Sequence, residues 1–413
     1  MPNNGKYTVK SNMLWNLAGS IIYLGCQWLV TLFVVTLSCS LDNAGSLNLA
    51  ISITAIFGTA AAFNMRTYII SDTENSISSR TYTGFRFLTC AISFGICLIY
   101  TVLFRYTISQ FFCIAIYMLF RIGEAILDLF YAFEQRSYRM DIGAKSMMMR
   151  GILSLASFTL IIYLTDNLLL SLTGMVTVTY TVIILYDYPE AKHFANLKPT
   201  ISREYKTLLK DGSIITSTSF ISDWIITLPR QFIESIMGNA MLGAYATVSA
   251  PIILVQVGSS LIFNPLLPEF DKYYKSRDKN AYFLLFKKTI IYMSLISLSA
   301  FIIILAFGYQ ILELLYGSEV AQLSYLLPSF LAITCINAFQ WFLRILLVMS
   351  RVLLPQLCGV TIGFFICMLF SVPLIQKFGL MGANYIIISC YSISCLITLV
   401  AFLIHTKRHF KQC

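Results

Sequence analysis

Residues 107–133 read TISQFFCIAIYMLFRIGEAILDLFYAF. The segment is long and apolar enough for a helix to cross a hydrocarbon layer, which takes about 20 residues. It also carries polar side chains, which at 100° per residue share a stripe about 60° wide. They are Gln110, Tyr117, Arg121, Glu124 and Asp128. Because charges inside a membrane normally face a cavity or a partner, we predict a membrane-spanning helix with one face turned away from lipid.

The rest of the chain has the same apolar character. Of its 413 residues, 58% are hydrophobic and only 12% are charged. This composition is typical of one membrane domain rather than of several soluble ones. The first apolar run, residues 13–38, is too long for the hydrophobic region of a signal peptide, and we interpret it as a retained span. The fold class predicted is therefore an all-α polytopic membrane protein.

Several kinds of chemistry have no motif in this sequence. The eleven cysteines are scattered through apolar segments without a Cys-x-x-Cys pair, which favours buried free thiols over disulfides or a metal site. Gly5-Lys6 lacks the upstream glycine of a nucleotide-binding loop. No cofactor, no metal and no enzymatic activity are therefore expected. The formal net charge of +10 is explained by membrane orientation, so no nucleic-acid partner is expected.

Twelve apolar runs predict twelve spans. They lie near residues 13–38, 43–70, 83–104, 107–133, 145–166, 167–186, 212–237, 241–268, 284–307, 322–349, 353–373 and 381–404.

Basic residues divide unevenly between the two sides that these spans define. Of 29 Lys and Arg residues, 23 fall on one side, Arg86 and Arg150 among them, and only Arg105 and Lys377 on the other. Since cytoplasmic loops are rich in Lys and Arg, both termini are predicted to be cytoplasmic. The other four basic residues, all arginines, fall inside spans.

The chain also divides into two halves. The polar connection 187–211 separates a six-span bundle at 1–186 from a second one at 212–413. Residues 58–64 (GTAAAFN) resemble residues 258–264 (GSSLIFN), at the same place in the second span of each half. Six spans per repeat predict a pseudo-twofold axis along the membrane normal, as in many transporters.

Polar stripes occur on only some spans. The seventh carries one, with Pro229 inside the helix predicting a kink or an unwound turn. The first, second and tenth carry shorter ones, the eighth a weaker one, and the third, fifth, sixth, ninth, eleventh and twelfth none. The stripe residues are Asn16, Ser20, Tyr23 and Gln27; Asn48, Ser52, Thr59 and Arg66; Thr216, Ser219, Asp223, Thr227, Arg230 and Glu234; and Asn337, Gln340 and Arg344.

Two interpretations of the charges stay open. Arg121 can pair with Glu124 and Asp128, and Arg230 with Glu234, simply to bind helices together. Summed over the spans, four basic residues face four acidic ones, so counting does not predict a cationic tunnel. Arg66 and Arg344 have no acid within reach on their own helices. They either face the cavity or snorkel to the inner interface.

Four segments resemble the multidrug/oligosaccharidyl-lipid/polysaccharide (MOP) flippase superfamily, and its polysaccharide-exporter (Wzx-type) branch most closely. Each motif is short, and their order along a plan of six plus six spans carries the resemblance. They are Leu242-Gly243-Ala244-Tyr245-Ala246, Leu315-Tyr316-Gly317 followed by Ala321, Phe378-Gly379-Leu380-Met381-Gly382-Ala383, and Asn43 to Asp72. In the second motif the tyrosine after the glycine is displaced, to Tyr325.

The resemblance implies a central cavity lined by spans 1, 2, 4, 7, 8 and 10. It also implies a cargo, an undecaprenyl-pyrophosphate-linked repeat unit that moves from the cytoplasmic to the outer leaflet for O-antigen, capsule or exopolysaccharide assembly. Membrane lipids and polysaccharide-assembly proteins are the other partners implied. Guanidinium groups suit the diphosphate. We predict a substrate site made of Arg66, Arg121, Arg230, Arg344, Asn48, Gln340 and Tyr117.

Ion coupling and two rival functions complete the expectations. Glu124, Asp128, Asp223 and Glu234 are candidates for ion coupling if burial lets them titrate. A drug or cation antiporter of the same superfamily is the first alternative, and the arginines argue against it. A membrane-embedded glycosyltransferase or polymerase is the second, and the short outer loops argue against that.

Overall fold

The computed structural model describes residues 9–71, 77–252, 266–350 and 354–411, together with positions 255, 259, 263 and 352. These residues form helices and connecting turns, and no strand occurs among them. The all-α prediction is therefore confirmed. Part of the predicted eighth span, and most of the repeat at 258–264, lies outside the described residues.

The chain divides into two compact units, Met1–Thr216 and Ser217–Cys413. The boundary falls inside one helix, a few residues beyond the boundary predicted at 212. The first unit contains α1 Val9–Leu37, α2 Leu41–Ala62, α3 Met65–Ser71, α4 Ser79–Leu103, α5 Ile108–Arg136, α6 Met140–Thr165, α7 Leu168–Val182, a π-helical turn Ile183–Asp187, α8 Tyr188–Ala191 and the start of α9 Tyr205–Met237.

The second unit contains the rest of α9 and the helices that follow it. They are α10 Asn239–Ser249, a 3₁₀ turn Ala250–Ile252, α11 Leu267–Lys275, α12 Lys279–Tyr316, α13 Ser318–Ala321, a 3₁₀ turn Gln322–Leu326, α14 Leu327–Met349, α15 Leu354–Phe378 and α16 Leu380–Lys411. α9 is helical through Pro229, so the predicted unwinding of a turn there does not occur.

The second predicted span is broken. α2 ends at Ala62, and Phe63 and Asn64 both adopt positive φ angles of 44° and 52°. Residues other than glycine rarely adopt this left-handed conformation. The chain restarts as the short helix α3, so Arg66 lies on α3 rather than on the helix that carries Asn48.

The helix α5 begins with a capping box. The Thr107 side chain accepts a hydrogen bond from the backbone of Gln110, whose side chain accepts one from the backbone of Thr107. Such reciprocal bonds satisfy two of the free N–H groups at a helix start. Gln110 therefore caps α5.

In the first unit α5 is central. It packs against α2, α4 and α7, while α1 packs along α6. The apolar core around it includes Phe85, Leu127 and Phe130. Because α5 is surrounded by other helices, its polar residues meet partners on several of them.

In the second unit the tightest contact joins α15 and α16. Gly379 links them with a φ of +60°, a conformation that suits glycine. A Cβ on Gly382 would lie 2.1 Å from the carbonyl oxygen of Leu374. This close approach gives the Gly379-x-x-Gly382 motif a physical reason. The core beside it is built from aromatic residues such as Phe270 and Phe342.

Within the described residues nine helices are long and apolar enough to cross a membrane. α5 and α9, the two helices with the most charged stripes, are not among the nine. Large apolar side chains stand exposed along the outer faces, for example Ile96, Leu164, Leu298 and Leu369. Exposed apolar surface on this scale is expected where lipid covers it. The protein is a multi-pass membrane protein.

Candidate functional site

The acidic residues of α5 gather arginines from three neighbouring helices. Glu124 and Asp128 lie one helical turn apart, about 6 Å along the axis. Each carboxylate has two arginine partners, so two separate groups of charges form in the first unit.

The first group, the Asp128 cluster, consists of Arg66, Arg86, Asp128 and Gln135. Arg86 Nη2 donates to Asp128 Oδ2 at 3.2 Å, and Arg86 Nη1 donates to the carbonyl of Ala61 at 3.0 Å. Arg66 Nη1 lies 3.6 Å from Asp128 Oδ1, while Nε and Nη2 of Arg66 donate to Gln135 Oε1 at 3.1 and 2.8 Å. The Arg86 side chain is fully buried, whereas that of Arg66 is 31% exposed.

The second group, the Glu124 cluster, consists of Tyr23, Arg121, Glu124 and Arg150. Arg121 Nη1 donates to Glu124 Oε2 at 2.8 Å, and Arg150 Nη1 lies 3.5 Å from Glu124 Oε1. The Tyr23 hydroxyl donates to the same carboxylate oxygen that Arg150 approaches. Arg150 is buried and stacks over the Tyr23 ring, 4.1 Å from its centroid. Arg121 is 28% exposed.

These clusters correct the predicted charge distribution. Arg86 and Arg150 were assigned to cytoplasmic loops, and this was wrong, because both lie buried in α4 and α6. The third and fifth spans, predicted to have no polar face, therefore each contribute an arginine. The predicted span limits already enclosed both residues, which is the signal that could have identified them. Four arginines face two carboxylates in the two clusters, and the buried Asp187 is a further acid within electrostatic range of Arg150.

The structure also corrects the pairing of individual residues. Arg66 was expected to be unpaired, but it has an acid on a neighbouring helix, which the spacing along its own helix could not reveal. Arg121 pairs with Glu124 as predicted. Asp128, the other predicted partner of Arg121, is instead held by Arg66 and Arg86.

In the second unit Arg344 is surrounded by a hydroxyl group, a carboxylate and a tyrosine. Its Nη1 donates to Ser219 Oγ at 3.4 Å, and Asp223 and Tyr391 lie within electrostatic range. Asp223 is thus an acid on another helix for an arginine that was expected to have none. The Tyr391 hydroxyl donates to the carbonyl of Ser222 at 3.2 Å.

Arg230 and Glu234 are the other charged residues predicted in the second unit. Arg230 is within electrostatic range of Tyr245 and Tyr391. Glu234, one turn further along α9, is partly exposed. The structure therefore gathers Arg230 and Arg344 around Tyr391.

Three predicted substrate residues are largely occupied by contacts within their own unit. Asn48 donates to the carbonyl of Ala44 on its own helix at 2.8 Å. Gln340 is buried and donates to Ser394 Oγ at 2.6 Å. Tyr117 is buried, and the Arg121 guanidinium lies 5.5 Å from its ring centroid. These contacts engage one side-chain group each of Asn48 and Gln340 and place Tyr117 beside Arg121, and the role of the three residues in substrate binding stays a prediction.

Two buried carboxyls at the ends of α5 and of the π-helical turn were missed. Glu134 and Asp187 are both fully buried, and their oxygens have no well-formed hydrogen bond within the described part of the chain. Nearby Asp141 is also buried, and Arg139 donates to it at 2.8 Å. No group of metal-ligating side chains suited to an ion occurs among the described residues.

Comparison with known proteins places these sites in context. No protein-family profile matches the chain. It is 23% identical over 424 aligned positions to the capsular polysaccharide biosynthesis protein CapF of Staphylococcus aureus, covering 97% of this chain and 99% of that protein.

Solved structures match along the whole chain as well. An outward-facing multidrug resistance MATE family transporter of the MOP superfamily has a TM-score of 0.67 at 11% identity, covering 99% of this chain and 98% of that one. A mutant of the Vibrio cholerae MATE transporter VcmN has a TM-score of 0.64 at 14% identity, covering 95% of this chain and 94% of that one. The chain therefore has the fold of these MATE transporters, which is the fold that the resemblance in the sequence implied.

Proposed function

We propose that this protein is a flippase that moves an undecaprenyl-pyrophosphate-linked oligosaccharide repeat unit from the inner to the outer leaflet of a bacterial cytoplasmic membrane. It would act by alternating access and supply the assembly of a surface polysaccharide. The arginines of α5 and its neighbours would bind the diphosphate, with the carboxylates as their alternative partners. The lipid tail would stay in the bilayer.

The observation that carries this proposal is the surplus of arginine in the first unit. Each cluster on α5 holds one carboxylate and two guanidinium groups, of which Arg66 and Arg121 are partly exposed. Guanidinium groups bind phosphate oxygens through paired, charge-assisted hydrogen bonds. A site built in this way favours an anionic cargo. The full-length similarity to a capsular polysaccharide biosynthesis protein points in the same direction.

A multidrug or cation antiporter is the alternative, favoured by the likeness in fold to multidrug transporters. A site that binds organic cations would need uncompensated carboxylates. Glu124 and Asp128 are instead each flanked by two arginines. The local charge therefore disfavours a cationic cargo.

A transport assay in proteoliposomes tests the proposal. The purified protein is reconstituted with an undecaprenyl-pyrophosphate-linked oligosaccharide that carries a dithionite-sensitive fluorophore on its sugar. Cargo that reaches the outer leaflet is bleached by external dithionite, so the bleaching kinetics report its translocation. We expect the protein to accelerate this process over empty liposomes.

Transport rates of matched variants test whether the predicted substrate arginines matter more for transport than another arginine does. Loss of a charge-assisted hydrogen bond of about 1.5–3 kcal/mol predicts at least a tenfold slower transport for Arg66→Gln and for Arg344→Gln. Arg80→Gln, which removes an exposed arginine from α4, should transport at the wild-type rate. If both site variants match wild type at equal protein levels, the residue assignment is wrong. If the protein exports a cationic dye and does not flip the cargo, the antiporter function is favoured over the flippase function.

Ion coupling is tested in the same vesicles. Glu124, Asp128, Asp223 and Glu234 are proposed to couple transport to an ion gradient. Imposed proton or sodium gradients should then change the initial rate. A rate that is indifferent to both gradients would remove coupling from the proposal and leave flipping intact.

A further inference from the structure

The two clusters on α5 share an arrangement of charges that binding of substrate by the exposed arginines alone does not explain. In each, one carboxylate lies between a buried arginine and a partly exposed one. Arg86 and Arg150 are the buried partners, while Arg66 and Arg121 are 31% and 28% exposed. The buried arginines have almost no surface on which to meet cargo, so any effect on cargo is exerted through the groups that they contact, the carboxylates among them.

The geometry of the Asp128 cluster shows how this role arises. Each oxygen of Asp128 faces a different arginine, Oδ2 towards Arg86 at 3.2 Å and Oδ1 towards Arg66 at 3.6 Å. Arg86 is also fixed by the carbonyl of Ala61. The contact to Arg66 is the longer one, and Arg66 has the neutral oxygen of Gln135 as its hydrogen-bond acceptor. Asp128 is therefore held mainly by Arg86.

The Glu124 cluster also joins one carboxylate to two arginines, but here the exposed arginine is the nearer one. The exposed Arg121 makes the close bond at 2.8 Å, and the buried Arg150 lies at 3.5 Å from the other oxygen. Tyr23 donates to that second oxygen as well. Glu124 thus keeps two partners if Arg121 leaves it. An anion can then take over Arg121 without leaving a bare carboxylate behind, which would be costly in a membrane.

We propose that Arg86 and Arg150 are positioning residues, each of which retains one carboxylate so that the exposed arginine beside it can exchange that carboxylate for an oxygen of a diphosphate. This inference rests on the proposed function and names the part of the cargo that the clusters bind. The Asp128 cluster, in which the contact between the carboxylate and the exposed arginine is the longer one, is the first to take the anion. The Glu124 cluster, one helical turn away, is the second.

The arrangement makes a prediction that a purely structural role for Arg86 does not. Without Arg86, Arg66 is the remaining ionic partner of Asp128 among the described residues, so Arg66 becomes locked in an ion pair and binds anions less well. Removing the negative charge of Asp128 as well should release Arg66 again. A second substitution should therefore rescue the first.

Binding of inorganic pyrophosphate to the detergent-purified full-length protein, measured by isothermal titration calorimetry, tests this. We expect Arg86→Gln to weaken binding about two- to fivefold, the range that part-exposed ion pairs span. The double variant R86Q/D128N should regain at least wild-type affinity. Arg80→Gln on the same helix is the matched control and should bind as wild type does. The pair R150Q and R150Q/E124Q should follow the same order.

The outcomes separate this inference from the proposed function. If R86Q and R86Q/D128N bind pyrophosphate equally weakly, or if D128N alone weakens binding, the positioning role is wrong, while cargo flipping by the wild-type protein would still stand. If the wild-type protein binds no pyrophosphate, the inference is overturned, and the function is judged by the proteoliposome assay alone. Should R86Q fail to fold, the second pair, built on Arg150, decides the question in the same way.

Discussion

The close approach of α15 and α16 gives a sharp prediction for Gly382. A Cβ at this position would lie 2.1 Å from the Leu374 carbonyl oxygen, 2.5 Å from its carbonyl carbon and 2.9 Å from the Ile375 nitrogen. All three are backbone atoms, which cannot rotate away as a side chain can. The helices must separate by more than 1 Å to reach ordinary contact, which begins at 3.4 Å. We expect Gly382→Ala to cost about 3 kcal/mol, the upper end of the usual range for overpacking.

A thiol-reactive dye can measure this loss directly. Cys367, Cys390 and Cys395 are free, and all three are buried in the second unit. Their thiols become reactive only as the helices open. Dye fluorescence that rises during heating above the signal of the exposed Cys39 and Cys358 therefore follows unfolding. At about 2–4 °C per kcal/mol for a unit of this size, Gly382→Ala should lower the apparent Tm by about 6–12 °C.

Gly95 provides the matched control for Gly382. It lies inside α4 with no atom within 4 Å of an added Cβ. Gly95→Ala should leave the Tm unchanged or raise it, since alanine favours the helix by up to about 1 kcal/mol. If Gly382→Ala melts no lower than Gly95→Ala, the inferred contact between α15 and α16 is incorrect.

Three further predictions concern residues away from the clusters. Hydrogen bonds led by that of Ser38 hold the pKa of Asp166 below its usual value, so Asp166 stabilises the fold above about pH 4 and this contribution is lost as the pH falls through its folded pKa. The apparent Tm of thermal unfolding should consequently fall more steeply below about pH 4 in wild type than in Asp166→Asn. Parallel profiles of Tm against pH for the two proteins would refute this. Gln340→Ala should lower the apparent Tm by removing the bond to Ser394, while flipping per folded molecule stays within about twofold of wild type, and a tenfold slower rate would return Gln340 to the substrate site. Asn48→Ala should likewise transport at the wild-type rate in the proteoliposome assay, because its side chain is bonded within its own helix.

The sequence was most informative where a single helix decides the outcome. The periodicity of α5 placed Arg121, Glu124 and Asp128 on one face, and the structure engages all three with charged partners. The i to i+3 pair of Arg121 with Glu124 follows from helical geometry alone. Predictions of this kind need no knowledge of how helices are arranged.

Partners that come from other helices were beyond the reach of periodicity. Whether Arg66 meets Asp128 depends on which helices are neighbours and on the break at Phe63, and no spacing within one helix contains that information. Arg86 and Arg150 were misassigned because a charge tally treats arginines near span ends as loop residues. Nothing in the composition distinguishes a buried arginine from an exposed one.

The break between α2 and α3 has an electrostatic consequence for Arg86. A helix that stops inside the protein leaves carbonyl groups without intrahelical donors and concentrates partial negative charge at that end. Ala61, the penultimate residue of α2, offers such a carbonyl, and it accepts bonds from both Arg86 and Thr89. Arg86 thus neutralises the dipole end of one helix and the carboxylate of another with a single guanidinium group. A substitution that let α2 run on unbroken into α3 would remove this acceptor and leave Arg86 a buried cation with only Asp128 to balance it.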